Sequence, residues 1–157
     1  MAKLYTIVLA TLIIDQISKF YVVHFLNLKE KLAIDVISPF INFRMAWNKG
    51  INFGLFGYGG NIPRVSLIIL SIVICLALYW WVLSNRDSFI RVCVALIIGG
   101  ALGNVIDRII FGAVADFLNM SCCGFRNPFS FNFADIAIFI GAFGLIFYNK
   151  KEIASSE

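Results

Sequence analysis

Three of the chain's nine acidic residues lie between Gly99 and Asp135, at or beside the ends of long apolar segments. They are Asp107, Asp116 and Asp135. Ionisable side chains at membrane depth are costly and are usually retained for a function. Two carboxylates that meet in a partly dry site cannot both ionise easily, so one holds a proton while the other accepts one. Such a pair can activate a water molecule for attack on a peptide carbonyl.

Each member of this pair also has a structural explanation. Asp116 follows Gly112 in a loop between apolar neighbours, where it could be an ordinary loop acid. Asn132 can cap a helix whose third residue is Asp135. The two residues would then form a motif like a capping box, which stabilises the helix by about 1 kcal/mol. A catalytic pair and a structural role therefore both remain open. If the pair is catalytic, Asp135 at the positive helix end is expected to be the anion and Asp116 to hold the proton.

Further polar residues interrupt the apolar segments. Asp15 and Lys19 are four positions apart, so they share a helix face and are expected to pair. This pair is either a salt bridge with Lys19 reaching toward the boundary, or part of a substrate site. Asn104, Asp107 and Arg108 also share one face, where Asp107 is expected to pair with Arg108. A structural cluster is the alternative there.

The composition is that of an integral membrane protein. Of 157 residues, 61% are hydrophobic and 14% are charged, against about 25% charged in soluble domains. The net charge of +4 is scattered, which argues against a nucleic-acid partner. His24 is the only histidine and the cysteines form no C-x-x-C motif, so no metal site is expected. The adjacent Cys122 and Cys123 have no assigned role.

Four apolar stretches predict an all-α membrane protein of four transmembrane helices in a single domain, residues 1–157. Asp15 and Lys19 interrupt the first stretch and no small-residue cleavage site follows it, so a retained helix is expected. The predicted helices are Leu4–Phe25, Ile62–Leu83, Phe89–Phe111 and Phe131–Tyr148.

The loop after the first helix has a different pattern. From Ile41 to Asn48 apolar and polar residues alternate, and the alternation resumes from Ile51 to Leu55 after a turn that contains Gly50. A period of two on both sides of a turn predicts a β-hairpin or small sheet, here over about residues 40–58. Because one face is strongly apolar, we expect the sheet to lie on the membrane surface.

Positive charges predict the orientation of the chain. They are denser near the termini and the short turn after the second helix than in the two long loops. The positive-inside rule then places both termini in the cytoplasm and the sheet, together with the Asp116 loop, on the outer side. The charges on the cytoplasmic side are Lys3, Arg86, Arg91, Lys150 and Lys151.

The full set of motifs resembles the bacterial lipoprotein signal peptidases, also called type II signal peptidases. The resemblance covers essentially the whole chain in order. Each motif is weak alone, but the set together with four crossings is specific. The motifs are Asp15-x-x-Ser18-Lys19, Asn48-x-Gly50-x-x-Phe53, Gly99-Gly-Ala-x-Gly-Asn104-x-x-Asp107-Arg108, Gly112-x-Val114-x-Asp116-Phe117 and Phe131-Asn132-x-Ala134-Asp135.

This resemblance implies an aspartic protease of the bacterial inner membrane that cuts prolipoproteins just before a diacylglyceryl-modified cysteine. It implies a catalytic role for Asp116 and Asp135, a small β-cradle in the loop, no metal or organic cofactor, contact with membrane lipids and inhibition by globomycin. A monomer is expected. The residues that would frame or support the substrate site are Asp15, Lys19, Asn48, Gly50, Asn104, Asp107, Arg108, Asn132 and Ala134.

Two other classes of function compete with this interpretation. A small proton- or ion-coupled membrane carrier could use these charged residues as a relay: Asp15, Lys19, Asp107, Asp116 and Asp135. Carriers usually have repeats and broken helices, however, and no repeat is visible here. A non-enzymatic membrane assembly factor could use them to pair helices. Cleavage of a lipidated precursor would separate the peptidase from both.

Overall fold

A computed structural model of the protein describes residues 1–38, 40–50, 61–85, 87–121 and 127–155, with side chains as far as Tyr148. Helices dominate the described part. The first α-helix continues as a π-helix over Phe20–Phe25. The α-helices are α1 (Ala2–Lys19), α2 (Leu28–Lys31), α3 (Ile62–Ser84), α4 (Ser88–Phe111) and α5 (Phe133–Ser155).

Three helical segments are long and apolar enough to cross a membrane, and they coincide with the first three predicted crossings. They are Ala2–Phe25, Ile62–Ser84 and Ser88–Phe111. The apolar part of α5, Phe133–Tyr148, is shorter, so a fourth crossing stays a prediction. Helix α5 begins two residues later than predicted because Phe131 forms a β-bridge with Leu118.

Helix α4 is the centre of the bundle, since α1, α3 and α5 all pack against it. Its glycines allow this packing. A Cβ atom at Gly100 would overlap the carbonyl oxygen of Ala134 in α5, and one at Gly103 would overlap the carboxylate of Asp15 in α1. The small residues therefore bring the polar groups of three helices within hydrogen-bonding distance.

A three-stranded antiparallel sheet lies where α4 ends. Its strands are β1 (Ala33–Ile37), β2 (Ile41–Asn48) and β3 (Val114–Met120), in the order β1-β2-β3. The predicted strand after Ile41 is confirmed, but its observed partners are β1 and β3. The second arm of the predicted hairpin, from Ile51, lies outside the described residues, as do Phe53, Cys122 and Cys123.

The pairing of β2 with β3 sorts side chains between two sides of the sheet. Ala46 is opposite Asp116, and Asn48 is opposite Val114. Because side chains alternate along a strand, Ala46, Asn48 and Asp116 face the same side. Trp47 and Ala115 face the other side, where they line a separate small cavity. The sheet thus places the side chains of Asn48 and Asp116 on the same side, where both line one cavity.

Candidate active site

Asp116 is buried, with 3% of its surface exposed, and both of its carboxylate oxygens accept hydrogen bonds. Oδ2 accepts one from the Asn48 side-chain amide at 3.0 Å, and Oδ1 accepts one from the Asn132 side-chain amide at 2.6 Å. The carboxylate lies at an open cavity of about 480 Å³. Residues of the sheet, two helices and the segment before α5 line it, namely Ala46, Asn48, Gly50, Leu67, Arg108, Asp116, Pro128, Phe129 and Ser130.

The surroundings of Asp116 favour its protonated form. Burial, reinforced by the negative charge of Asp135, raises the pKa of Asp116 from 3.8 to about 6. The hydrogen bonds from Asn48 and Asn132 act in the opposite direction, because they stabilise the anion. Asp116 therefore exchanges its proton much closer to neutral pH than an ordinary aspartate does.

Asp135 forms the capping box that the sequence predicts. Its backbone N–H donates to Asn132 Oδ1 at 3.0 Å, and its Oδ2 accepts from the backbone N–H of Asn132 at 3.2 Å. Its other oxygen, Oδ1, accepts from the Asn104 side-chain amide at 2.9 Å. The capping role is thus confirmed. Asp135 is nevertheless only half-buried, and its negative charge acts on Asp116.

Asn132 joins the two carboxylates, which we call the aspartate pair. Its side-chain nitrogen binds Asp116, while its backbone nitrogen and side-chain oxygen bind Asp135. Asn132 is fully buried. The structure therefore brings together the two acids that the sequence singled out, although nineteen positions separate them in the chain.

A second group of charges, the lysine cluster, lies next to the aspartate pair. Lys19 Nζ is 2.8 Å from Asp15 and 2.9 Å from Asp107, and all three side chains are buried. The predicted pair of Asp15 and Lys19 is confirmed. Lys19 does not reach toward the boundary, since only 5% of it is exposed.

The predicted pairing of Asp107 with Arg108 is wrong. Neighbouring residues on a helix do not face each other. Asp107 points at α1 and β3, where it accepts from Lys19 and from the backbone N–H of Ala115 at 3.1 Å. Arg108 points at the cavity beside Asp116. Its Nε is buried with no hydrogen-bond partner in the described part of the chain.

Asn104 connects the lysine cluster to the aspartate pair. Its side-chain oxygen accepts from Lys19 Nζ at 3.2 Å and from Asn132 at 3.3 Å, while its nitrogen donates to Asp135. One amide on α4 thus contacts residues of α1, α5 and the segment before it.

The remaining predicted residues hold this arrangement in place. Asp15 Oδ1 accepts from the backbone N–H of Ala134 at 2.9 Å, which ties α1 to the first turn of α5. Gly50 has a positive φ of 89°, and its N–H donates to Asn48 Oδ1 at 2.9 Å. Because that oxygen is occupied, the Asn48 nitrogen is directed at Asp116.

Gln16 is a member of this network that the sequence interpretation did not select. Its side-chain nitrogen donates to Asp15 at 3.1 Å, to Asp107 at 3.0 Å and to the carbonyl oxygen of Gly103 at 3.3 Å. The available signal was a neutral polar residue next to a charge inside an apolar segment.

Among the described residues, no three His, Cys, Asp or Glu side chains form a group that could hold a metal ion.

Known proteins share both the sequence and the fold. A family model described as signal peptidase (SPase) II matches residues 7–150. The chain belongs to the signal peptidase II family. Two members named lipoprotein signal peptidase are similar to it. The one from Pelagibacter ubique is 41% identical over 93% of this chain and 89% of its own length. The one from Rhodopseudomonas palustris (strain CGA009) is 34% identical over 88% of this chain and 86% of its own length.

Two solved structures, both titled as a bacterial membrane enzyme, have the same fold as this signal peptidase II family member. One has a TM-score of 0.80 at 26% identity and covers 100% of this chain and 93% of its own. The other has a TM-score of 0.80 at 28% identity and covers 94% of this chain and 92% of its own. Family membership makes the chain a protease of the membrane, and nothing in these comparisons favours a carrier.

Proposed function

We propose that this protein is a membrane aspartic endopeptidase that removes signal peptides from diacylglyceryl-modified prolipoproteins, cutting just before the lipidated cysteine. The observation that carries the proposal is that Asp116 and Asp135 share Asn132 as a hydrogen-bond partner beside an open cavity. The names of the relatives, lipoprotein signal peptidase, support the substrate class.

In the proposed reaction, a water molecule lies between the two carboxyl groups. Ionised Asp135 takes a proton from this water as its oxygen attacks the scissile carbonyl, and Asp116 donates its proton to the carbonyl oxygen. When the tetrahedral intermediate collapses, Asp116 takes a proton back from a hydroxyl and Asp135 protonates the leaving amine. The C–N bond breaks, and both carboxyl groups return to their starting states.

Other cavity residues have roles that follow from their chemistry. Arg108 lines the cavity with an Nε–H donor that has no partner in the described part of the chain. We assign it to a carbonyl oxygen of the bound substrate, because guanidinium groups only donate hydrogen bonds. Asn48 and Gly50 hold Asp116 from the sheet side, while Asn104, Asn132 and Ala134 support Asp135 and the start of α5.

We place the active site at the outer face of the bacterial inner membrane, with both termini in the cytoplasm. A lipidated substrate keeps its acyl chains in the bilayer and its signal helix across it, so its scissile bond lies near the outer interface. The sheet, at the end of α4, is suited to cover the bound segment and exclude water. We propose one domain of four crossings, working as a monomer without cofactor and inhibited by globomycin.

The test is cleavage by purified protein of two synthetic precursors that differ only in the diacylglyceryl group on cysteine. We expect cleavage of the lipidated precursor alone, immediately before that cysteine, and its loss in Asp116→Asn and Asp135→Asn. The matched control is Asp35→Asn, since Asp35 is exposed on β1. Equal cleavage of both precursors would contradict the substrate, and turnover by either active-site variant would contradict the mechanism.

A further inference from the structure

The neighbours of the Asn104 side chain fix the orientation of its amide. An ammonium group only donates hydrogen bonds, so the Asn104 atom that contacts Lys19 Nζ at 3.2 Å must be the oxygen. The nitrogen of the same amide then faces the other way, toward Asp135 Oδ1 at 2.9 Å. Lys19 thereby favours the orientation of Asn104 in which the nitrogen meets Asp135.

The Asn132 side chain is oriented in a similar way. Its oxygen is occupied by the backbone N–H of Asp135, so its nitrogen faces Asp116 and the oxygen of Asn104. A donor from Asn132 therefore reinforces the orientation of Asn104. Both oxygens of Asp135 accept hydrogen bonds, as do both oxygens of Asp116. Asp135 differs in being more exposed than Asp116 and in lying in the first turn of α5, where the helix dipole stabilises an anion.

We propose that Lys19 is a positioning residue of the peptidase reaction: by binding the Asn104 oxygen, it directs the Asn104 nitrogen at Asp135 and keeps Asp135 the ionised member of the aspartate pair. This inference rests on the proposed function. Lys19 contacts the end of the Asn104 amide that faces away from Asp135, and it is not among the residues that line the cavity beside Asp116. The charged groups that interact with Asp135 are Asp116 from β3 and Arg108 from α4. The lysine cluster, Asp15, Lys19 and Asp107, is connected to Asp135 through Asn104.

The experiment measures kcat/KM for the lipidated precursor as a function of pH in Lys19→Met. We expect the acidic limb of the profile to move up by about one pH unit, the size expected for losing one hydrogen bond to a charged group. Lys19→Arg keeps the cation, so its acidic limb should stay at the original pH. Lys31→Met is the matched control, because Lys31 is exposed in α2, and it should leave the profile unchanged.

A double-mutant cycle separates action through Asn104 from a direct effect of the lysine charge. In an Asn104→Leu background, Lys19→Met should move the acidic limb by less than a third of its effect in the original protein. An equal shift in both backgrounds, or no shift in either, would overturn the inference. If Lys19→Met does not fold, Lys19→Met with Asp107→Asn removes one charge of each sign and is measured instead.

The outcomes distinguish the inference from the function on which it rests. If Asp116→Asn and Asp135→Asn are inactive while Lys19→Met leaves the acidic limb in place, the inference fails and the peptidase mechanism stands. If either aspartate variant cleaves the precursor, the mechanism itself fails.

Discussion

The lysine cluster and the aspartate pair lie on opposite sides of Asn104, and each contains two carboxylates. In the lysine cluster a buried ammonium group lies within 2.9 Å of both acids. In the aspartate pair the hydrogen-bonding partners are amides, which carry no charge. The lysine cluster therefore has a counter-ion inside it, whereas the aspartate pair has only uncharged donors, and burial there raises the pKa of Asp116 to about 6. The same residue type therefore supports the fold in one place and is suited to chemistry in the other.

The largest expected effect separates catalysis from stability in the aspartate pair. Asp116→Asn keeps the size of the side chain and its hydrogen-bonding capacity but removes the exchangeable proton. We expect kcat/KM to fall by about 10³-fold or more, with the melting temperature in detergent unchanged or raised. A variant that loses activity and melting temperature in parallel would assign Asp116 to the fold instead.

The lysine cluster should show the opposite behaviour. Lys19→Met leaves two buried carboxylates without their counter-ion, so we expect the free energy of unfolding to fall by about 3–5 kcal/mol. Arg44→Met is the matched control. Its partner, Asp35, is 2.7 Å away, and both side chains are about half exposed. Such a pair contributes about 0–1 kcal/mol. Denaturant titration in detergent measures both, and equal losses would contradict the distinction.

The pH dependence of stability provides a third comparison. The pKa of Asp116 is about 6 in the folded protein and 3.8 ordinarily. The folded state holds this proton more tightly, so the contribution of Asp116 is most favourable below about pH 4 and is lost as the pH rises to about 6. We expect the difference in unfolding free energy between the original protein and Asp116→Asn to change by about 2–3 kcal/mol over that range. A constant difference would contradict it.

The smallest effect is expected at the edge of the aspartate pair. Asn48→Ala removes the donor to Asp116 Oδ2, a bond of 3.0 Å. Because this donor favours the anion, its loss should raise the pKa of Asp116 further. Asp116 is then a weaker acid toward the carbonyl oxygen, so we expect kcat/KM to fall by about 10-fold. Thr6→Ala, at the far end of α1, is the control for general damage. A loss as large as that of Asp116→Asn would show that Asn48 does more than adjust the proton affinity.

Much of the helical core could be predicted because the apolar segments are long, and the length of such a segment can be read from consecutive residues alone. The capping box of Asn132 and Asp135, the pairing of Asp15 with Lys19, and the strand from Ile41 were all readable from spacing. Asp107 was misassigned to Arg108 because sequence neighbours suggest a pair where helix geometry forbids it. The helix across the bundle supplies the real partner.

The sheet was harder to predict than the helices. The exposed strand β1 has little apolar alternation, and β3 is buried on both faces, so neither shows the pattern that identifies β2. Gln16 was missed for a related reason. Its importance depends on three partners from two helices, and no spacing in the sequence brings those partners together.

The contact between Asp15 and Ala134 has a consequence for how the protein is made. These residues are 119 positions apart, so the carboxylate is synthesised well before its backbone partner. Helix α5, whose first turn contains Ala134, also carries Asp135. A nascent chain that has not yet reached α5 therefore lacks one acid of the pair, and the aspartate pair can form only after α1 and α5 have met.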